Sequence, residues 1–345
     1  EVGVEMTLVN AAAPFAVPRS DHAYKWSIRL VWATGLYVAG AFCFWPGSFL
    51  TLSQMYGMKF AVNVPILLTL GIFSAGLLYG GSEPTRYAIN MLTQRWRLYA
   101  PVFFFFFLGL TAFSTYKTAI PSVVPFYADP WLASLDEWLH GIQPWQLAHW
   151  YDSDIFGLVI FESYKKVWFG LWFGTVLFVA MWPRHIERIR YLWALLLTFA
   201  IIGSMLAMGL SSVGPIFYDQ ILGGDRFRGL QMALDNQEYS YRIREYSDYL
   251  LMLYRADKTD LGSGISAMPS VHVALVVLNA YFLSSLNRWL GAFGWTYAAF
   301  ILFSSVYTGM HYAMDGYMSI AVVSLIWWLT GRFILRPASA ADRDA

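Results

Sequence analysis

Charged residues divide the chain into long apolar runs. No Asp, Glu, Lys or Arg occurs in Leu30–Met58, Phe60–Ser82, Leu98–Tyr116, Val167–Pro183, Tyr191–Tyr218, Pro269–Asn287, Trp289–Met310 or Gly316–Gly331. A helix that crosses a bilayer needs about 20 mostly apolar residues. The shorter runs reach that length through their neighbours, so the pattern predicts an all-α, polytopic membrane bundle of about eight spans. The connections are expected around Lys59, over 117–166 and 219–268, and at a tight turn over 311–315 on one face. Two connecting segments have amphipathic helical spacing. Asp129-Pro130 opens one, with Trp131, Leu132, Leu135, Trp138 and Leu139 on a single face. The other repeats Ile243, Tyr246, Tyr249, Leu250, Leu253 and Tyr254. Each stripe suits either the headgroup level of a membrane or packing against the bundle.

Composition sharpens the class. Of 345 residues, 58% are hydrophobic and 13% charged, against about a quarter charged in a soluble domain. That charge deficit excludes a soluble protein with eight buried helices. A net charge of +1 argues against a nucleic-acid partner, which asks for a concentrated basic face. Cys43 is the single cysteine, so neither an intrachain disulfide nor a cysteine-based metal cluster is possible. Residues 1–28 lack the short apolar core of a cleaved signal peptide, and the first span is expected to direct insertion.

The basic residues set an orientation. Arg19, Lys25 and Arg29 precede the first run. Arg86, Arg95 and Arg97 follow the second, Arg184, Arg188 and Arg190 the fourth, Arg288 the sixth, and Arg332, Arg336 and Arg343 the eighth. Placing them inside satisfies the positive-inside rule, with both termini cytoplasmic. The expected organisation is a cytoplasmic segment 1–28, membrane helices over 29–116, a catalytic membrane domain over 117–336 and a disordered tail 337–345.

The candidate chemistry lies at the outer ends of the spans. In Tyr307-Thr308-Gly309-Met310-His311-Tyr312-Ala313-Met314-Asp315, helical spacing puts His311 and Asp315 on one face. The carboxylate can fix the imidazole tautomer and leave the other nitrogen basic, as in a catalytic His–Asp pair; a purely structural pair has the same spacing. Met268-Pro269-Ser270-Val271-His272 stands at the predicted start of the sixth span. Free amides and the Ser270 hydroxyl there can hold an anion, and His272 can donate a proton. A down-and-back pair of spans returns the chain from His272 to His311 on the same face. Lys117, separated by six residues from Val124-Pro125, faces that side too, either as a phosphate ligand or as a lysine snorkelling at a helix end.

Lys117, Pro269-Ser270-x-His272 and His311-x-x-x-Asp315, in that order, resemble the signatures of the type-2 phosphatidic-acid phosphatase (PAP2) superfamily, whose site is shared with vanadium haloperoxidases. The resemblance is strongest over about 260–335. Three positions depart from the family pattern: Val124 replaces the first arginine, Val271 replaces a glycine, and Ser304-Ser305 replaces Ser-Arg. A phosphate monoester, with nearly two charges, is usually met by bidentate guanidinium groups, whereas a diester carries one. With Gly309-x-His311-Tyr312-x-x-Asp315, this pattern looks closest to the inositol-phosphorylceramide synthase-like branch.

The resemblance implies His311 as nucleophile on phosphorus, Asp315 as its orienter and His272 as proton donor and acceptor. Lys117 and Ser270 would stabilise the phosphoryl group, and no metal or cofactor is implied, although two histidines and a carboxylate are metal-ligand types. Arg226, Arg228, Arg242, Arg244 and Arg255 in the long outer segment are candidates to replace the missing arginines, while Glu162, Lys165 and Lys166, near the outer edge of the fourth span, either contact substrate or mark the interface. The implied partners are a phospholipid donor and a lipid alcohol or water as acceptor. Transfer of a head group such as phosphoinositol is the favoured reading, and lipid-phosphate or polyprenyl-pyrophosphate hydrolysis the alternative. A transporter or assembly subunit is disfavoured, because its ionisable groups belong mid-span rather than at one interface.

Overall fold

Proline at position 46 makes the first bend in the chain. The computed structural model describes residues 21–335 except 80, 152, 183 and 236–240. Helix α1 (Asp21–Phe44) stops at Trp45, and α2 (Pro46–Tyr79) begins on the proline itself. Proline lacks the amide that would continue α1 but is pre-shaped for a first helical turn. The expected turn around Lys59 is therefore corrected: Lys59 lies within α2, and the run Leu30–Met58 is divided between two helices. Lys25 and Arg29, expected ahead of the first span, sit in the opening turns of α1. Residues 1–20 of the expected segment 1–28 and the expected tail 337–345, with Arg19, Arg336 and Arg343, fall outside the described residues.

Helix α3 (Pro84–Val123) returns and carries Lys117 near its end, so the segments expected to divide at 116 share this helix. α4 (Asp129–His140) and α5 (Pro144–Ala148) cross the end of the bundle at which Lys117 and Ala313 lie. α6 (Asp154–Glu162) runs through a wide π-turn, Ser163–Val167, into α7 (Trp168–Met181). α8 (His185–Leu197) similarly passes through a π-segment, Thr198–Leu206, into the short α9 (Ala207–Gly209). Three shorter helices follow, α10 (Pro215–Ile221), α11 (Arg228–Asp235) and α12 (Tyr241–Arg255). The last membrane helices are α13 (Val271–Leu286), α14 (Arg288–Tyr307) and α15 (Ala313–Ile334).

Six described helical stretches are long and apolar enough to cross a membrane: His22–Phe44, Pro46–Ser74, Tyr99–Val123, His185–Gly209, Arg288–Tyr307 and Ala313–Ile334. The other two expected spans correspond to α13, which is apolar but shorter, and to the run α6–α7. Trp32, Leu36 and Phe44 on α1 and Val62 and Leu70 on α2 point outward, as a lipid solvent permits. α13 forms the axis of the core, with Val273 to Ala280 and Phe282 buried against neighbouring helices. Inside it, the Tyr191 hydroxyl donates to Asn279 Oδ1 at 2.7 Å, a buried polar pair with both ends satisfied.

Small residues let α14 lie close on α13. A Cβ at Gly294 would meet Ala280 Cα at 2.8 Å, and one at Gly291 would meet Ser284 Cα at 2.8 Å. Close backbone approach through small residues is how apolar helices associate when lipid is the solvent. Gly294→Val should therefore lower the thermal midpoint in detergent, at an overpacking cost of about 1–3 kcal/mol. Phe293→Leu, on the outward side of the same helix, should leave the midpoint unchanged; an equal effect of both would contradict this contact.

Candidate active site

The loop between α14 and α15 delivers His311. It turns at Gly309, whose φ is +68°, and the Gly309 carbonyl accepts from Ile216 N at 2.8 Å. Asp315 sits in the first turn of α15. Its Oδ2 accepts from Tyr312 N at 2.9 Å and lies 3.2 Å from His311 Nδ1. The same ring nitrogen is 2.8 Å from the Ala267 carbonyl. A carbonyl can only accept, so Nδ1 carries the proton and Nε2 keeps its lone pair. The expected pairing holds, with one difference in its origin. His311 precedes the helix instead of lying on it, and Asp315 reaches it while capping the helix start.

His272 is the second residue of α13. Its ring packs on Tyr164, with centroids 4.5 Å apart and planes 13° from parallel, and on Trp168 at 4.1 Å. Trp168 Nε1 also donates to the His272 carbonyl at 3.0 Å. The two histidine rings lie 6.2 Å apart between centroids. Ser270 is fully buried, and its hydroxyl accepts from Val273 N at 3.4 Å. Its amide donates to the Asp315 carbonyl at 3.2 Å, and its own carbonyl accepts from Ser319 at 2.9 Å. Ser270 thus caps α13 and ties it to α15, while the expected helical proline, Pro269, stands just ahead of the cap.

Two chambers meet at His272. The smaller, about 130 Å³, is bordered by both histidines and Lys117. The larger, about 460 Å³, is bordered by His272, Lys59, Lys117 and Lys165 among aromatic side chains. Both share Lys117, Tyr164, Trp168, Tyr246 and Met310. The loop 262–265 lies against the Lys117 backbone; Gly264, at φ +90°, leaves no room for a Cβ there, since the Lys117 carbonyl would be 2.9 Å away.

The outer arginines are occupied elsewhere. Arg242 pairs with Glu162 at 2.8 Å, Arg244 pairs with Asp235, and Arg226 pairs with Glu137 at 3.0 Å. Arg255 reaches the Gln220 carbonyl at 3.5 Å, Arg228 is exposed, and Lys166 pairs with Glu162 at 2.6 Å. None of them borders either chamber. Of the candidate substrate contacts, only Lys165 does.

Sequence reasoning missed the scaffold behind His311. Asp129 and Asp136 lie seven residues apart on the buried face of α4 with Leu132 and Ala133, while Trp131, Trp138 and Leu139 face outward. Asp136 accepts from the amides of Ala313 and Met314, at 2.8 and 2.9 Å. Those are free first-turn donors of α15, where a carboxylate also meets the positive helix end. Asp129 accepts from Val213 and Gly214 amides and from the Tyr312 hydroxyl, each contact about 2.9–3.1 Å. Burial raises both aspartate pKa values, and the amide donors oppose that rise. Two aspartates at i and i+7 on an otherwise apolar stripe were the available signal. Lys59 was missed as well, being read as part of a connection.

Asp136→Ala should strand two helix-start amides and loosen His311. The expected result is a loss of about 2–4 kcal/mol in stability and a lower turnover, with Asp136→Asn recovering part of both. Wild-type midpoint and turnover in the alanine variant would contradict this role.

A family model described as PAP2 superfamily matches residues 130–329, which spans α4 through most of α15. No curated protein and no solved structure matches the chain. The matched region holds Asp136, His272, His311 and Asp315, and the rest of the chain adds Asp129, Lys117 and the helices α1 and α2. This chain belongs to the PAP2 superfamily, and its activity is of the membrane phosphatase and phosphotransferase type, acting on lipids.

Proposed function

We propose that the chain transfers a phosphoryl head group, such as phosphoinositol, from a phospholipid diester to a lipid alcohol, as in the inositol-phosphorylceramide synthase-like branch. The observation that carries this reading is the set of cations at the chambers: Lys59, Lys117 and Lys165, with no arginine among the bordering residues. Ser305, at one expected arginine position, is fully buried, and its carbonyl accepts from His311 N at 3.2 Å. Lysines supply point charges suited to the single charge of a diester, whereas monoesters favour forked guanidinium contacts. The aromatic lining of the larger chamber suits the apolar part of a lipid.

In the first half-reaction, His311 Nε2 attacks phosphorus and the bond to the diacylglycerol oxygen breaks. His272 gives that oxygen its proton. Asp315 and the Ala267 carbonyl hold Nδ1–H and stabilise the positive ring that forms. Lys117 faces the negative charge that builds on the phosphoryl oxygens. In the second half, His272 takes the proton of the acceptor hydroxyl, whose oxygen attacks phosphorus and releases His311. Neither half-reaction calls for a metal. We place the site on the non-cytoplasmic face, because Arg97, Arg184, Arg190, Arg288 and Arg332 gather at the opposite end of the bundle.

The test is a phosphoenzyme trap with a head-group-labelled diester and no acceptor. Label should appear on the protein and leave when a lipid alcohol is added. His311→Ala should carry no label while remaining folded, and His272→Ala should slow both steps by about 10²–10⁴-fold. Full turnover by His311→Ala would overturn the assignment.

A further inference from the structure

A third cavity lies at the other end of the bundle, between α1, α3 and α8. It measures about 300 Å³ and is largely apolar, bordered by residues such as Val31, Phe105 and Leu192. That volume is at the lower end of the range for ligand pockets. Its polar groups are Ser27, Thr34, His185 and two arginines, Arg97 and Arg188. Arg188 is only 5% exposed, yet it has no carboxylate partner among the described residues. Its recorded acceptors are neutral: the Trp182 carbonyl at 3.4 Å and His185 Nδ1 at 2.6 Å.

The hydrogen bonds show that His185 cannot supply the missing charge. A guanidinium only donates, so His185 Nδ1 is the acceptor and its proton sits on Nε2. That nitrogen is 3.1 Å from the Ser27 hydroxyl, which donates in turn to the Ala23 carbonyl at 2.9 Å. Glu187, the nearest carboxylate in sequence, accepts from Arg184 and Trp182 instead. A buried cation without a counter-charge is costly, and here it borders a cavity with a second cation at its rim, Arg97. An anion with an apolar tail would satisfy both features.

We propose that this cleft binds an anionic phospholipid, with its phosphate against Arg97 and Arg188 and one acyl chain along the apolar wall between α1, α3 and α8. The site is separate from the chambers at His272 and His311, so its occupancy does not depend on turnover.

The test is native mass spectrometry of the full chain carrying His311→Ala, so that no lipid is consumed. The probes are phosphatidylglycerol and phosphatidylcholine with identical chains. Phosphatidylglycerol should be retained in preference by about tenfold or more, the equivalent of one charge-assisted contact. Arg97→Gln with Arg188→Gln should bring the two lipids to parity. Gly109→Leu should remove the bound lipid by filling the cleft, since a Cβ at Gly109 meets nothing within 4 Å. This variant keeps the test decisive if the arginine variants do not fold. Excess inorganic phosphate should not displace the lipid. Equal retention of both lipids in the unaltered cleft would overturn the proposal, as would a preference that survives Gly109→Leu. Displacement by inorganic phosphate would overturn the lipid assignment.

Discussion

One carboxylate oxygen does two jobs at the centre of this protein. Asp315 Oδ2 accepts the amide that starts α15 and also holds the His311 ring. The helix start and the orientation of His311 therefore cannot be separated. In a low-dielectric bundle, every polar group without a partner is costly; Asp315 Oδ1 is buried without one among the described residues, while the groups around Oδ2 are paired. Ser270 ties α13 to α15, Asp136 takes the next two α15 amides, and Asp129 joins Tyr312 to the loop at Val213. The result is a rigid polar floor beneath two histidines whose outward faces remain open to the chambers.

This arrangement gathers the buried polar groups around His311 at one end of the bundle. Lipid surrounds the spans, so charge within them must be paired, shielded or useful. Lys59, Lys117 and Lys165 border an aromatic chamber where an anionic head group can meet them without leaving its apolar tail unsolvated. The π-turn of Ser163–Val167 carries Tyr164, which stacks on the His272 ring. Wide helical turns of this kind are common where a side chain must be re-aimed at a site. The opposite end of the bundle repeats the theme in simpler form, with Arg188 buried beside neutral acceptors.

Much of this was legible in the residues. Hydrophobic run lengths gave the helical membrane class, because bilayer thickness imposes them directly. The order Lys117, Ser270, His272, His311, Asp315 pointed to the proposed site, and chain reversal through α13 and α14 brings His272 and His311 to the same end of the bundle. Helix boundaries were less legible. Pro46 outweighed an uninterrupted apolar run, and Lys59 lies within a long helix, exposed at the border of the larger chamber. The support from Asp129 and Asp136 was hidden because it depends on α4 crossing over α15, a long-range contact that no local spacing encodes. The outer arginines misled for the same reason: their nearest carboxylates, Glu162, Asp235 and Glu137, are partners only in three dimensions.

The measurement that tests the central claim most directly is the product formed from a labelled phospholipid diester in liposomes, with and without a lipid alcohol such as ceramide or diacylglycerol. The account predicts a new phospholipid that carries the labelled head group and appears only when the alcohol is present. Release of inorganic phosphate, independent of the alcohol, would contradict it and assign the same histidines to hydrolysis.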